Sequence, residues 1–283
     1  MTPGKKLSDS LSTKSGVFEE LGIFDPYVGI DTHLFLDPAL LRNTGIKEFK
    51  ESYKKITSHF ADVLKLLTAS KAHNDIAWRT ARKKLIFKET KGISIGYGAN
   101  TNDGNAVGPE LAEKIAITAK ELIDLEAKDT SIFELICLFE KGMGADRLSD
   151  MSISIILEDV CVYTDKMVES LGLNEKQVVV VTSPRDSKKY KLVKDPIKSK
   201  PLLLLPQELL KDLPMALSRD EIGFIVYFNE QLRNKLSSMI VKDAIEGLSA
   251  LTKKDYREIF FTKELAPKLV EAYKEHTPEK YDY

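Results

Sequence analysis

The most polar stretch of the sequence, from Glu140 to Asp150, joins two segments with helical periodicity and contains two glycines that let the backbone turn tightly. Glu140, Asp146 and Asp150 could converge on a divalent cation such as Mg²⁺ or Mn²⁺, and Arg147 could bind a phosphate. These are the groups that a metal-assisted phosphodiester site requires. The structural alternative is that Ser149 or Asp150 caps the following helix, and that Asp146 and Arg147 form an ion pair that closes the turn.

Other carboxylates in the first third of the chain could serve the same chemistry. Asp75 followed by Glu89-Thr90-Lys91 has the order of residue types found in restriction-like nucleases, where two acids bind the metal and a lysine polarises the attacking water. The pattern is short and common by chance. Further ligands could come from Asp25, Asp31 and Asp37, although Asp-Pro turns explain two of them. The histidines show no paired ligand spacing; they are His33, His59, His73 and His276.

Basic residues form two clusters, although the chain as a whole has a net charge of −1. The residues of the first cluster that could follow a phosphate backbone are Arg79, Arg82, Lys83, Lys84, Lys88 and Lys91, with Trp78 and Phe87 among them to stack on bases. The second cluster consists of Arg185, Lys188, Lys189, Lys191 and Lys194 around Tyr190. The alternative for both clusters is a solvated surface, namely a helix face in the first and a hairpin tip in the second.

A glycine-rich stretch precedes the helix that Pro109 begins. Its backbone amides and the helix N-terminus could hold an anion, and the glycines concerned are Gly96, Gly98, Gly104 and Gly108. The stretch lacks the Gly-Lys-Ser/Thr ending of a phosphate-binding loop and the spacing of a dinucleotide-binding motif. An ordinary structural loop and a loop that covers a substrate therefore both stay open.

The hydrophobic pattern of the sequence predicts the helices and strands that must position these residues. It indicates an α+β fold that is predominantly helical with a small mixed β element. Apolar residues at three- and four-residue steps predict helices over residues 46–69, 109–128, 131–141 and 150–172, the third with a capping box from Ser131 to Glu134. Short β-rich runs predict strands near residues 28–35, 85–97 and 177–206. We expect a flexible lead-in over residues 1–16, an α+β domain over 17–206, and a helical C-terminal part over 207–283 that packs on it.

Composition limits the classes of protein that remain. Hydrophobic residues make up 43% and charged residues 30%, which is typical of a globular chain and excludes collagen-like or disordered chains. Cys137 and Cys161 match no metal-ligand spacing, so we expect reduced thiols in the core. The polar N-terminus has no signal-peptide pattern and no stretch is apolar enough to span a membrane, so we expect a cytoplasmic protein.

Three motifs in order resemble a little-characterised bacterial family. They are Phe24-Asp25-Pro26 with Gly29-Ile30-Asp31-Thr32, then Gly142-Met143-Gly144-Ala145-Asp146-Arg147-Leu148-Ser149-Asp150-Met151, and then Pro201-Leu202-Leu203-Leu204-Leu205-Pro206. In that family this region precedes a restriction-endonuclease-like segment, and the setting implies defence against phage. Such a segment would follow Tyr283 and is not in this sequence, so a truncated chain, a cleaved product and a stand-alone version all stay open. The resemblance assigns no catalytic residue within these motifs.

The resulting expectation is a regulatory or recognition module of a bacterial antiphage defence system. It would bind nucleic acid or a nuclease domain or subunit, and work as a homo-oligomer or hetero-complex away from membranes. One alternative is a metal-dependent nuclease or phosphodiesterase that acts through Glu140, Asp146, Arg147 and Asp150. The other is a structural assembly subunit without a site of its own.

Overall fold

The centre of the core is an amphipathic helix, α3 (Ser52–Ala69), whose apolar side chains recur at three- and four-residue steps. We describe the chain from a computed structural model over residues 4–96, 106–140, 142–183, 187–212 and 253–275. In α3, Phe60 is buried and its ring stacks on Phe133 at 4.6 Å between centroids. The predicted helix over residues 46–69 is confirmed from Ser52 onward, and a 3₁₀ turn (Lys47–Phe49) precedes it.

Helices α4 (Ile76–Lys84) and α5 (Pro109–Asp124) pack on α3. Helix α5 begins at the predicted proline, whose missing N–H costs nothing in the first turn. The next helix, α6 (Ile132–Leu135), is short and continues as a 3₁₀ turn (Ile136–Leu138). The predicted capping box at its start is wrong, because the Ser131 hydroxyl donates to Asp129 Oδ1 at 2.7 Å and caps nothing.

The polar stretch after residue 140 leads into α7 (Ala145–Ile155), which is followed directly by α8 (Leu157–Ser170). One continuous helix from residue 150 was predicted. Instead α7 begins five residues earlier, and the backbone of Ile156, at φ −97° and ψ 18°, leaves the helical range and separates the two helices. Ser149 and Asp150 therefore lie inside α7, and the prediction that either caps the helix is wrong.

The strands form two small antiparallel sheets. In the first, β1 (Leu34–Leu36) pairs with β5 (Leu210–Asp212), with Leu36 opposite Leu210. In the second, β3 (Lys189–Lys194) lies between β2 (Val178–Thr182) and β4 (Pro201–Leu202). The predicted β structure over residues 85–97 is reduced to isolated bridges, Phe87 with Val107 and Thr32 with Ile95. The fold is α+β and mostly helical, as predicted.

Both ends of the described chain contribute to one hydrophobic core. The expected lead-in contains α1 (Leu7–Ser10), and Leu7 and Leu11 are buried; α2 (Val17–Glu20) follows. The last helices are α9 (Lys253–Phe260) and α10 (Leu265–Glu275), and the Tyr273 hydroxyl of α10 donates to the buried Glu134 of α6 at 2.6 Å. None of the helices in the described residues is long and apolar enough to cross a membrane.

Candidate functional site

Four carboxylates from three distant segments influence one another electrostatically around the first turns of α7. They are Asp31, Glu89, Asp146 and Asp150, and we call them the acid cluster. The segment of Asp31 is tied to the chain after Glu89 by two backbone hydrogen bonds, from Thr32 N to Ser94 O at 3.0 Å and from Gly96 N to Thr32 O at 2.9 Å. Helix α7 brings Asp146 and Asp150 onto one face, because residues four apart share a face.

The positions within α7 are fixed by the other residues of its motif. Arg147 donates to the backbone oxygen of Ala106 at 2.7 Å, and the Ser149 hydroxyl oxygen accepts from Leu36 N of β1 at 3.0 Å. Met151 is buried in the core. The guanidinium of Arg147 is therefore directed to the backbone before α5, and the predicted Asp146–Arg147 pair is present only as an electrostatic influence on the Asp146 pKa.

Burial and repulsion between like charges together raise the pKa values of carboxyls in the acid cluster. Burial, followed by the charges of Asp146 and Glu89, raises the pKa of Asp150 to about 7. Burial and then the charge of Glu89 raise the pKa of Asp31 to about 6, while Lys198 acts in the opposite direction. Burial also raises the pKa of Asp146 against the influence of Arg147. Near neutral pH the Asp150 and Asp31 carboxyls therefore exchange protons, which is typical of carboxyls at functional sites.

A cleft of about 290 Å³ opens beside Asp31 and Glu89. Its lining comprises residues 26–31, 89–94 and 200–202 with Leu7, Asp195 and Lys198, so three lysines, Lys91, Lys198 and Lys200, border it. Gly92, in the lining, lies against the backbone of Pro201: its φ is +84°, and a Cβ there would lie 2.4 Å from the Pro201 oxygen. Leu203 N donates to Gly92 O at 2.8 Å, which holds the two segments together.

One polar atom beside the acid cluster has no partner within the described residues. Thr32 Oγ1 is buried and makes no hydrogen bond there. Thr32 directly follows Asp31 in the chain, and its backbone makes both hydrogen bonds that tie this segment to residues 94–96. A buried hydroxyl without a partner is uncommon in a folded chain, and its desolvation lowers the stability of this segment.

The structure separates Glu140 from the ligand set predicted for it. The Glu140 carboxylate accepts from the Thr118 hydroxyl and from Arg257 at 2.7 Å, so it joins α5 to α9. Among the described residues no three His, Cys, Asp or Glu side chains converge closely enough to hold a metal ion. The predicted trio of Glu140, Asp146 and Asp150 is therefore not assembled as a three-ligand site.

The nuclease-like pattern is divided between two places. Asp75 caps α4 by accepting from Trp78 N at 2.7 Å, and this and further backbone hydrogen bonds lower its pKa to about 2. Glu89 and Lys91 line the cleft instead, together with the acids Asp31 and Asp195. The sequence signal that could have grouped them is the joint presence of Gly-Ile-Asp-Thr and Glu-Thr-Lys.

The other two acids predicted as further ligands have structural partners instead. Asp25 binds Ser8, and Asp37 caps a 3₁₀ turn (Pro38–Asn43) and pairs with Lys211.

The first basic cluster lacks the aromatic surface predicted for it. Trp78 and Phe87 are only 5% and 6% exposed, so neither ring can stack on a base. Its cations are spread over several contacts: Arg79 donates to Asn74 O, Arg82 to Glu113 and Lys84 to Asp62, and Lys83 and Lys88 are exposed. In the second cluster Tyr190 is buried, Lys188, Lys189 and Lys191 are exposed, Lys194 is half-buried, and Arg185 lies outside the described residues.

The predicted anion loop is described only at its two ends. Gly98 and Gly104 lie outside the described residues. At Gly96, with φ +122°, the Asp146 carboxylate lies 3.0 Å from where a Cβ would be, so a negative charge already occupies that side of the backbone. Gly108 is extended and precedes the first turn of α5, where its oxygen accepts from Ala112 N at 2.9 Å.

Comparison with known proteins gives a family without an assigned activity. No curated protein and no solved structure matches the chain. A family model described as a domain of unknown function, DUF8370, matches residues 13–218. This range contains every residue of the acid cluster and of the cleft apart from Leu7. Because the match covers well over half of the sequence, the chain belongs to the DUF8370 family.

Proposed function

We propose that the chain is a nucleic-acid-binding module of bacterial antiphage defence that holds a phosphodiester in the cleft through a divalent cation. The observation that carries the proposal is the electrostatic coupling of Asp31, Glu89, Asp146 and Asp150, of which Asp31 and Glu89 line a lysine-bordered cleft. The defence setting rests on the resemblance of the three sequence motifs. A nuclease domain or subunit is the protein partner that this resemblance implies.

The carboxylates favour binding of a cation because the nearby basic side chains do not offset their burial and mutual repulsion. Arg147 and Lys198 oppose the raised pKa values of Asp150 and Asp31, yet burial and mutual repulsion prevail. Mg²⁺ is commonly held by one or two carboxylates together with phosphate oxygens and waters. Such a site needs no closed cage of three protein ligands, so the acid cluster suits a cation that arrives with its phosphate.

The lysines at the cleft favour binding of a phosphate group. Lys91, Lys198 and Lys200 come from two segments that both line the cleft. Phosphate contacts by lysine release counterions from a nucleic acid and provide most of its non-specific affinity. The predicted role of Arg147 on the phosphate is not supported, because the guanidinium donates to Ala106 O.

A second candidate function, phosphodiester hydrolysis, is favoured by one specific observation. Asp31, Glu89 and Lys91 line the same cleft. Two acids and a lysine are the residue types with which metal-dependent nucleases bind a cation and polarise the attacking water. Binding and hydrolysis would use the same groups, so one experiment separates them by looking for product.

The test measures binding and cleavage of labelled DNA and RNA, single- and double-stranded, in Mg²⁺, in Mn²⁺ and in chelator. We expect binding that needs the cation, and a loss of about tenfold or more in the double variant Asp31→Asn/Asp150→Asn, since hydrogen bonds to charged groups contribute about 1.5–3 kcal/mol each. A cation-dependent product establishes hydrolysis; its absence leaves binding alone.

Two control variants make the result specific. Glu175→Gln removes an exposed carboxylate outside the cleft, and Lys83→Ala/Lys88→Ala removes two exposed lysines outside it. Both should bind like the unmodified chain. Binding that is unaffected by chelator and by the double variant contradicts the proposal, as does a failure to bind any of the nucleic acids.

A further inference from the structure

We propose that the apolar rim of the cleft, formed by Tyr27, Ile30 and Ile197, receives unpaired nucleobases, so that the nucleic acid bound there is single-stranded. This inference rests on the proposed function, because it specifies which form of nucleic acid that site takes. It adds a base-binding surface to the phosphate-binding groups. We call the three residues the apolar rim.

The three side chains of the apolar rim are large and apolar, yet each is exposed to solvent. Tyr27 is 39% exposed, Ile30 56% and Ile197 70%. Among the described residues Tyr27 is the exposed aromatic side chain, whereas the rings near the basic clusters, Trp78 and Tyr190, are buried. Exposed apolar groups that gather at a cleft mark binding surfaces more often than scattered ones do.

Two segments of the chain build the apolar rim, and the N-terminal segment packs against it. At Gly29 the backbone turns with φ +80°, and Ile197 Cδ1 lies 3.7 Å from where a Gly29 Cβ would be, so Ile197 covers this turn. Tyr27 Cδ1 and Ile30 Cδ1 lie 3.6 and 3.4 Å from the Cβ position of Gly4. The two side chains therefore flank the N-terminal strand-like segment, which bridges to Tyr27 at Lys6.

The residues after Ile197 add charge to the same surface. The side chain of the buried Asp195 accepts from Ile197 N at 2.7 Å and from Lys198 N at 2.9 Å, which fixes the turn that carries both residues. Lys198 and Lys200 line the cleft together with Tyr27 and Ile30. Apolar groups beside cations complement a strand in which bases alternate with phosphates.

The apolar rim favours single-stranded over double-stranded nucleic acid, because only a single strand offers free base faces to it. Bases in a duplex are stacked on one another and present only their edges in the grooves, so an exposed tyrosine face gains nothing from a duplex backbone. In a single strand each base has a free face, and aromatic side chains stack on it with little dependence on sequence. A cleft of about 290 Å³ is at the small end of ligand sites, which suits a single nucleotide unit.

The test compares three ligands by fluorescence anisotropy in Mg²⁺: a single-stranded oligonucleotide, its duplex, and an abasic strand of equal length. For the unmodified chain we expect the single strand to bind more tightly than the other two. Tyr27→Ala should weaken binding of the single strand about fivefold or more and leave the abasic strand unchanged, since each stacked base contributes about that factor or more.

Matched variants separate stacking from damage to the fold. Tyr27→Phe keeps the ring and should bind within about twofold of the unmodified chain, since only the hydroxyl is lost. Ile76→Ala removes a side chain that is 76% exposed outside the cleft and should have no effect. Ile30→Ala provides a second variant of the apolar rim, with a smaller expected loss. Thermal unfolding of each variant shows whether it is folded.

The outcomes distinguish the inference from the proposed function. If the single strand binds with cation dependence but Tyr27→Ala and Ile30→Ala bind it normally, the apolar rim is not a base-binding surface and the phosphate site stands. A duplex or an abasic strand that binds as tightly as the single strand also overturns the inference alone. If no nucleic acid binds in the presence of the cation, both are overturned.

Discussion

Among single residues, Asp150 shows how the acid cluster lowers the stability of the fold at neutral and higher pH. Its carboxyl is partly buried near Asp146 and Glu89, and its pKa is raised to about 7. A carboxyl with a folded pKa above its unfolded value of 3.8 stabilises the fold below that lower value, and this contribution is lost as pH rises to about 7. Above pH 7 the ionised side chain therefore works against folding. Arrangements that cost stability are expected at functional sites.

Replacing Asp150 by asparagine tests this cost. We expect Asp150→Asn to raise the free energy of unfolding by about 1 kcal/mol at pH 8, where the wild-type carboxyl is ionised. At pH 5 the gain should shrink, because the wild-type carboxyl is already protonated in the fold. Urea unfolding at the two pH values measures both. Glu175→Gln should change neither, and an Asp150→Asn variant that is equally destabilised at both pH values would contradict the account.

At the scale of elements, α10 depends on one buried carboxylate. Glu134 of α6 is 5% exposed and accepts from Tyr273 of α10 at 2.6 Å, from Tyr53 of α3 at 3.2 Å, and from Arg42 at 3.5 Å. The last segment of the described chain is thus joined to the core by a polar contact as well as by apolar packing. Burying a carboxylate is costly unless each oxygen has partners.

Removing one of these partners should loosen α10 first. Tyr273→Phe keeps the ring but takes a donor from the buried Glu134, which we expect to cost about 1–3 kcal/mol of unfolding free energy. Hydrogen exchange should become faster in residues 265–275 before it does so in α3. Tyr27→Phe is the control, because its hydroxyl belongs to an exposed side chain. Unchanged exchange in α10 would show that apolar packing alone holds this helix.

Elements and site differ in how far the sequence predicts them. Helices α3 and α5 follow from periodicity and from Pro109, because those signals are local. The start of α7 does not, since the hydrogen bond from Leu36 N to Ser149 spans 113 residues. For the same reason the sequence marks Asp31, Glu89 and Asp150 as candidate acids but does not predict that they influence one another. Glu140 was grouped with its sequence neighbours, although its partner Arg257 lies 117 residues away.

At the scale of the molecule, the cleft joins parts of the chain that are far apart in sequence. Residues near 30, 90 and 200 line it together, and Asp146 and Asp150 act electrostatically on the acids of the lining. With a net charge of −1, the chain as a whole does not attract nucleic acid. Affinity must therefore come from this local arrangement or from the separate basic clusters, and the two possibilities place the ligand on different segments.

Hydrogen exchange with and without a single-stranded oligonucleotide in Mg²⁺ decides between these surfaces. The account predicts slower exchange in residues 27–32 and 89–94 when both oligonucleotide and cation are present, and no such change with chelator. Slower exchange confined to residues 76–84 of α4 or 189–194 of β3, with residues 27–32 and 89–94 unaffected, would contradict it.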